Sequence, residues 1–339
     1  MTRRQLAHFL FALPIARFFQ RLPAAASTSF EVDRLLTATP ALSLNLKAPL
    51  RHYRADAVIS LLTLPVFSRA SAGIGFAACL AVQQGETSAI SMQFGAGSLP
   101  EHTRGVNKLG YMQEVVLEKG SLPQEAAYFG FMTSSPEENI QQGKASLSRM
   151  SGRLTHYAAI DGNSSPARSQ STQTKLRFPS LYNFSHCQTL IGEVRNAFHS
   201  AAPAARRTAV LEQTGPRAPF TFLYALRRAI QSREVSFEAP YICNGKRHRL
   251  LTERNADPKQ RAHFAARGLT ARPDRVTRIR GIINTQQSVC RTAFKIWIEG
   301  GPDAVLPLRI EFQTRSFLKL ALKADPTISF NSMEVAKAL

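Results

Sequence analysis

The sequence predicts an α+β protein whose main element is a large antiparallel β-sheet packed on two or three helices. The sheet is predicted by apolar runs that recur about every 8–12 residues and are separated by glycine or proline. The helices are predicted by two segments, 186–199 and 220–233, in which apolar residues recur at helical spacing. A hydrophobic content of 44% and a charged content of 19% in 339 residues are typical of a globular chain with a sizeable core.

The first residues have the order of an export signal. Arg3 and Arg4 precede an apolar run from His8 to Ala16, and small residues follow up to Ala26. This pattern predicts an exported bacterial protein, periplasmic or extracellular, that is cleaved after Ala26 and has no transmembrane span in its mature chain. The paired arginines are also typical of the twin-arginine signal, so that route and the Sec route both stay open. The alternative is an amphipathic N-terminal helix packed on the domain.

Strands are predicted in the first half of the chain by runs of Val, Ile, Leu, Phe and Ala between turn residues. They span Ala57–Phe67, Gly73–Val82, Ala89–Phe94, Gly110–Glu118 and Glu125–Met132. A helix is predicted from Ser135 to Met150, because Ser-Pro-Glu-Glu supplies an N-cap, a proline at the first helical position and a capping glutamate. The stretch 151–172 is rich in Ser, Gly, Asn, Gln and Thr, which predicts a loop.

The last third of the chain returns to strand-like patterns. Phe237–Cys243 alternates and leads into Asn244–Gly245, a strong hairpin signal because both turn residues tolerate a positive φ. Further strands are predicted at Ala262–Thr270, Arg275–Ile283 and Ala293–Glu299.

These patterns divide the chain into six consecutive segments. They are an export signal at 1–26, an N-terminal extension of the mature chain at 27–51, an antiparallel sheet with a helix at 52–150, a polar loop and helix insert at 151–218, a helix with a basic antiparallel sheet at 219–325, and a C-terminal tail at 326–339. The loop at 151–172 is the best candidate for a boundary.

The clearest single pattern is a set of apolar residues at even-numbered positions near the end of the chain. Charged residues, among them Arg309, Glu311 and Lys319, occupy the odd positions between them. A period of two predicts one long strand, or two strands with a bend near Thr314, with an apolar face and a solvated face that carries cross-strand ion pairs. The apolar set gives the candidates for lining a ligand cleft: Leu308, Ile310, Phe312, Leu318, Leu320 and Leu322.

Basic residues are concentrated in the last third. The chain has 43 Lys and Arg against 23 Asp and Glu, a net charge of +20, and residues 216–339 hold 22 of the basic and 10 of the acidic residues. This asymmetry favours an anionic partner such as an envelope lipid or its head group, the alternative being a solvated surface that keeps the protein soluble. One tryptophan and no interleaving of aromatic with basic residues argue against nucleic acid. The candidate anion contacts are Arg227, Arg228, Lys246, Arg247 and Arg249.

No catalytic, metal-binding or cofactor motif is present, so the sequence predicts a protein that is not an enzyme and has no cofactor or metal. The four cysteines, Cys79, Cys187, Cys243 and Cys290, allow three full pairings. Cys243 and Cys290 both lie near predicted strand ends, which makes them a candidate disulfide in an oxidising compartment. Cys79 lies in an apolar run and is expected to be a buried small side chain.

The order of elements resembles a known family. It consists of a strand-rich half, a helix from Thr221 to Arg233, a hairpin with Asn-Gly-Lys-Arg, and strands that include Pro307–Glu311, with Tyr53–Phe76 as the first hairpin. Over residues 52–325 this order resembles a family of uncharacterised bacterial exported proteins that share a domain of unknown function. That family is in turn similar to the periplasmic lipoprotein-carrier fold. The resemblance implies a large curved antiparallel β-sheet, a half-barrel, wrapped around the helices, and it carries over no catalytic residue.

A sheet that curls around helices leaves an apolar cleft, the usual place for a greasy ligand. We therefore expect a non-enzymatic protein of the cell envelope that binds a hydrophobic or amphiphilic, lipid-like ligand. An envelope scaffold with a fully packed core and no ligand is the alternative, and binding of a polyanion or nucleic acid through the basic last third is a second one.

Overall fold

The computed structural model describes most of the chain between Leu50 and Ile328. The described residues are 50–61, 64–84, 87–103, 107–119, 122–133, 147–158, 167–179, 187–200, 206–213, 221–243, 246–285, 288–301, 306–315 and 318–328. The predicted export signal and nearly all of the predicted N-terminal extension and C-terminal tail lie outside these ranges.

Strands dominate the described residues. In chain order they are β1 (Leu50–Leu61), β2 (Leu64–Gln84), β3 (Thr87–Ser98), β4 (Leu109–Lys119), β5 (Leu122–Thr133), β6 (Leu147–Ala158), β7 (Ala167–Pro179), β8 (Arg206–Gln213), β9 (Ser236–Cys243), β10 (Lys246–Ala256), β11 (Val276–Thr285), β12 (Ser288–Glu299), β13 (Arg309–Arg315) and β14 (Leu318–Ala324). The α-helices within the described ranges are α1 (Cys187–Ser200), α2 (Phe222–Gln231) and α3 (Pro258–Ala266).

All these strands belong to one antiparallel sheet of 14 strands within the described part of the chain. Its order is β8-β7-β6-β5-β4-β3-β2-β1-β14-β13-β12-β11-β10-β9. Strands β1 to β8 pair in sequence order, strands β9 to β14 do the same, and β14 pairs with β1, so β8 and β9 are the two edges of the sheet. In this pairing Tyr53 lies opposite Ala324. The predicted segments 52–150 and 219–325 therefore contribute to the same sheet.

The sheet curls around helix α2. This helix contacts β4 and also β9, although eight strands lie between those two in the sheet order. At the usual strand spacing a flat sheet would separate them by roughly 43 Å, whereas a helix of 10 residues is only about 15 Å long. Both strands can reach α2 only because the sheet bends around it.

The two faces of the curled sheet carry different helices. We call the face that contacts α2 the inner face; on β4 it carries Glu114, Val116 and Glu118. The opposite, outer face of β2–β5 packs against α1, whose Leu190 and Val194 are fully buried there. The helices were expected on the concave side of the sheet, and α1 lies instead on the outer side.

Several predicted elements are confirmed and two are wrong. Both segments predicted as amphipathic helices form α1 and α2, and the bend expected near Thr314 corresponds to a register shift between Gln313 and Arg315. The loop predicted at 151–172 is wrong, because β6 and β7 occupy most of it. The helix predicted from Ser135 to Met150 lies mostly outside the described residues, and its last residue, Met150, lies in β6. Strands β6 and β7 lack apolar alternation and are held by backbone pairing to β5 and to each other.

The strand predicted at Ala262–Thr270 is also wrong, since α3 occupies most of it. Asp257 is the N-cap of this helix and accepts a hydrogen bond from the backbone N–H of Gln260 at 3.2 Å, and Pro258 occupies the first helical turn. Phe264 anchors the helix in a cluster with Val276, Trp297 and Leu308. The helix start signal therefore outweighs the short apolar run that suggested a strand.

Candidate functional site

Helix α2 inside the curled sheet is the centre of the candidate site. Its sequence, FLYALRRAIQ, places small and apolar residues on two sides and the two arginines on a third. Ala225, Ala229 and Ile230 pack with β9–β12 residues, among them Tyr241 and Ile296. Tyr224 points the other way and is buried with Cys79, Ile90, Met92, Val116 and Ala126 of β2–β5.

The N-terminus of α2 is held by a carboxylate of the sheet. Glu114 of β4 accepts hydrogen bonds from the backbone N–H of Leu223 at 3.2 Å, from that of Tyr224 at 3.1 Å, and from the hydroxyl of Thr221. Only 2% of Glu114 is exposed, and this burial raises its pKa to about 7 against the opposing effect of the three hydrogen bonds. A negative group at a helix N-terminus also complements the helix dipole.

A second carboxylate on the same strand holds the next turn of α2. The hydroxyl of Tyr224 donates to Glu118 Oε1 at 2.6 Å, and Arg227 lies 4.0 Å from the same oxygen. Burial and the hydrogen bond to Glu118 raise the pKa of Tyr224 well above its ordinary value. The contact of α2 with β4 thus combines the Tyr224 ring with polar groups at both carboxylates.

The C-terminus of α2 is capped by Arg254 of β10. Its Nη2 donates to the carbonyl oxygens of Ala229 at 3.1 Å, Ile230 at 2.8 Å and Ser232 at 2.8 Å. Cations at this end of a helix satisfy its last carbonyls and complement its dipole. Burial lowers the pKa of Arg254. Both ends of α2 are therefore held by long-range polar contacts that the helix sequence does not reveal.

Four of the cleft candidates lie opposite one another on the inner face. Ile310 pairs with Leu322 and Phe312 with Leu320 across β13 and β14. Ile310 and Phe312 are half-buried against the cluster that contains α2, and Leu322 is buried with Tyr53, Ala77 and Ala96. Leu308 is buried in the separate cluster around Phe264, and the side chain of Leu318 lies outside the described residues.

The anion-contact candidates are not gathered into one site. Arg227 is largely buried beside Glu118, whereas Arg228 is exposed. Arg249 is exposed and forms an ion pair with Glu238 on the neighbouring strand. The side chains of Lys246 and Arg247 lie outside the described residues.

The cysteines and the other acidic or histidine residues suggest no redox or metal site in the described part of the chain. Cys79 and Cys187 are both buried, and burial raises the pKa of the Cys79 thiol to about 11. The sheet order places β10 and β11 between the strands of Cys243 and Cys290, roughly 14 Å apart at ordinary strand spacing, which is beyond the reach of a disulfide. No group of three His, Cys, Asp or Glu residues that could hold a metal occurs among the described residues.

A shallow groove of about 500 Å³ lies across β9, β10 and β11. It is lined mainly by Phe237, Leu251, Thr252, Glu253, Arg280 and Ile282, and none of the predicted site residues borders it. None of the helices in the described ranges has the length and hydropathy needed to cross a bilayer.

Comparisons with known proteins give a similarity in structure and none in sequence. No family model matches the chain, and no curated protein matches it. Among solved structures the chain is similar to a beta-barrel-like protein of domain of unknown function DUF1849 from Brucella abortus, with a TM-score of 0.42 and 8% identity over 82% of this chain and 95% of that chain. The description of that protein does not mention a lipoprotein carrier, so this part of the resemblance stays a prediction.

Proposed function

We propose that this chain is an exported, non-enzymatic protein of the bacterial cell envelope that binds a hydrophobic or amphiphilic ligand inside its curled sheet. The observation that carries the proposal is an apolar inner face that surrounds one amphipathic helix. This face presents Ala55, Phe94 and Ile310, which are only partly buried. An acyl chain lying along these residues would complete their burial at about 25 cal/mol per Å² of apolar surface.

The attachment of α2 supports ligand entry on the β4 side. Its polar contacts there, those of Glu114 and Glu118, can be exchanged for water at a net cost of about 0.5–1.5 kcal/mol each for neutral partners and more for charged ones. Exposing the apolar inner face to water would cost more, unless a ligand covers it. A shift of α2 away from β4 is therefore favourable only when an apolar ligand covers the inner face that the helix leaves.

The packing of Ile310 and Phe312 on the α2 cluster favours a second candidate, a scaffold whose core is filled without any ligand. Native mass spectrometry of residues 27–339 purified from an envelope-containing host, followed by organic extraction, separates the two. A co-purifying lipid supports the binding protein. A clean apo mass, together with no uptake of the fluorescent apolar probe N-phenyl-1-naphthylamine, would favour the scaffold.

A matched pair of variants tests where the ligand binds. Ala55 lies on the inner face and is half-buried, whereas Ala70 of the same β1–β2 hairpin is exposed. We expect Ala55→Leu to fill the inner space and lower uptake of the probe severalfold, and Ala70→Leu to leave uptake unchanged. Equal uptake by both variants and the wild type would place the probe outside the curled sheet.

A further inference from the structure

One end of the sheet collects the connections around α3. Four strands start here, β1, β9, β11 and β13, and three strands finish here, β10, β12 and β14. The pairings of Tyr53 with Ala324, Trp297 with Arg309 and Val276 with Glu299 show this arrangement. We call this end of the sheet the α3 end. The other ends of β9 and β10 meet where Cys243 pairs with Lys246, so this hairpin and the α3 end lie at opposite ends of the sheet.

Helix α3 presents a stripe of basic residues at this end. Lys259, His263 and Arg267 follow one another at intervals of four residues, which places them on one side of the helix, and all three are exposed. Phe264 provides the buried contact of the helix. Residues 257–280 contain seven Lys or Arg residues and two acidic ones, and Arg272 and Arg275 are exposed in the turn that follows α3.

Three acidic groups near α3 are paired with other residues. Asp257 accepts the indole N–H of Trp297 at 2.9 Å and lies 3.6 Å from Arg278. Glu311 pairs with Arg309 and Lys319, and Asp56 pairs with Lys323. The other acidic residue of 257–280, Asp274, is exposed. Among the described residues no carboxylate forms an ion pair with Lys259 or Arg267, so their charge is available to an external partner.

Cations of the neighbouring strands lie near this stripe. Partial burial, and then the positive charges of Arg267, Arg309 and Lys323, lower the pKa of His263. Arg309 of β13 also contacts α3 directly, since its Nη1 donates a hydrogen bond to Gln260 Oε1 at 3.2 Å.

Exposed apolar side chains lie at the same end. Among the described residues, the large apolar residues that are exposed are Leu50, with 48% of its surface accessible, and Val235, with 67%. Leu50 begins β1, and the carbonyl of Val235, directly before β9, accepts a hydrogen bond from Arg254 near the end of β10. Basic residues combined with exposed apolar ones are typical of surfaces that bind the interface of an anionic bilayer.

We propose that the α3 end docks onto the surface of a membrane that contains anionic phospholipids. Lys259 and Arg267 contact the head groups, and Leu50 and Val235 enter the interface. Nucleic acid is the poorer partner for this surface, since the aromatic ring of α3, Phe264, is buried and offers no face for base stacking. Docking at this end does not depend on ligand uptake inside the sheet.

Co-sedimentation with vesicles tests the proposal. The full mature chain is mixed with vesicles of phosphatidylcholine and phosphatidylglycerol at a ratio of 70 to 30, and with vesicles of phosphatidylcholine alone, at low and high salt. We expect binding to the anionic vesicles only, weakening as salt rises. Binding to neutral vesicles with equal affinity, or no binding to either, would overturn the proposal.

Two double variants with the same change in net charge locate the surface. Lys259→Glu with Arg267→Glu alters the α3 end, and Lys246→Glu with Arg247→Glu alters the hairpin at the opposite end. We expect the first pair to lower the vesicle partition coefficient by about tenfold or more and the second to change it by about twofold or less. Equal losses in both would mean that net charge alone drives binding, and would refute a defined docking end.

Further measurements test the apolar contacts and the integrity of the fold. The double variant Leu50→Ser, Val235→Ser is expected to lower the binding that persists at high salt. Unchanged thermal unfolding of every variant shows that the fold is intact.

A different partner is tested with single-stranded DNA. If the protein binds this DNA as tightly as it binds the anionic vesicles, the surface binds polyanions in general and the membrane proposal is overturned. Probe uptake by the Lys259→Glu, Arg267→Glu variant should equal that of the wild type, so failure of docking and failure of ligand binding are read separately.

Discussion

The backbone N–H of Tyr224 donates a hydrogen bond to Glu114 Oε2 at 3.1 Å, across 110 residues of sequence. The N-cap residue of α2, Thr221, makes no side-chain capping bond of its own, and its hydroxyl donates to the same carboxylate. One glutamate of the sheet therefore supplies the cap that the helix lacks. This relationship joins α2 to β4, and the first prediction concerns its protonation.

Stability is expected to fall as the pH rises through the range in which Glu114 titrates. Burial raises the pKa of Glu114 to about 7, above the ordinary value of 4.5. Between these values the folded protein holds the proton more tightly than the unfolded chain, so folding is favoured at the acidic side of the window and loses this contribution as Glu114 ionises. The urea concentration at the midpoint of unfolding should therefore decrease as the pH is raised from 5 to 8.

The control for this pH dependence is a pair of glutamine variants. Glu114→Gln does not titrate and should remove most of the decrease, while Glu101→Gln in an exposed turn should retain it. An unchanged pH profile in Glu114→Gln would show that another group causes the effect.

Removing the hydroxyl of Tyr224 is expected to cost more than removing that of Tyr53. The Tyr224 hydroxyl donates to the carboxylate of Glu118 at 2.6 Å, and the Tyr53 hydroxyl donates to the carbonyl of Pro307 at 2.7 Å. Hydrogen bonds to charged groups contribute about 1.5–3 kcal/mol and neutral ones about 0.5–1.5 kcal/mol. The free energy of unfolding should fall more in Tyr224→Phe than in Tyr53→Phe, and the reverse order would contradict the bond between Tyr224 and Glu118.

Alanine should have opposite effects at two glycines. Gly281 of β11 lies opposite Phe294 of β12, whose ring covers it, so a Cβ there would overlap the ring. We expect Gly281→Ala to destabilise the fold by about 1–3 kcal/mol. Gly192 in the exposed middle of α1 has no atom within 4 Å of a new Cβ, and Gly192→Ala should stabilise by about 0.5–1 kcal/mol. Thermal unfolding of both variants measures this difference in stability. A shift of the two melting temperatures in the same direction would contradict the prediction.

Lys319 and Leu320 should both be sensitive to replacement by aspartate. The alternating pattern alone places Lys319 in water, and its Nζ lies 2.8 Å from Glu311 Oε2, whose side chain is only 9% exposed. Lys319→Asp would put two carboxylates together and should cost about 1–3 kcal/mol. Leu320→Asp adds a charge to the inner face and should cost more. Urea unfolding measures the free energy of unfolding of both variants. Neutral surface substitutions usually change it by less than about 0.5 kcal/mol. A loss below that value in Lys319→Asp would mean that the ion pair is absent in solution.

The sequence was most informative where burial imposes a period. The even-numbered residues around Ile310 and Phe312 predicted β13 and β14 because one side of each strand is apolar and the other charged. The sequence did not predict β6 and β7, because the backbone pairing of β6 with β5 and of β7 with β6 requires no apolar alternation. For α3 the Asp257–Pro258 signal was present, but a helix with Phe264 as its buried residue has no apolar stripe to reveal it.

The polar contacts of α2 were beyond prediction for a different reason. Glu114 and Glu118 lie four residues apart in an apolar strand, on the same face as Val116, which is an unusual place for two acidic residues. That signal could have marked them as buried groups with partners. The partners themselves, Thr221 and Tyr224, are more than a hundred residues away and become neighbours only because the sheet curls.

The pairing of β1 with β14 has a consequence for the newborn chain. Arg54 and Asp325, which are joined by a 2.8 Å ion pair beside this pairing, are 271 residues apart, so the ribosome makes β1 long before its second neighbour exists. Until residues 318–324 emerge, β1 and β13 each present an open edge at what becomes the middle of the sheet. Any chaperone that accompanies this protein during synthesis would have to shield the centre of the sheet rather than its margins.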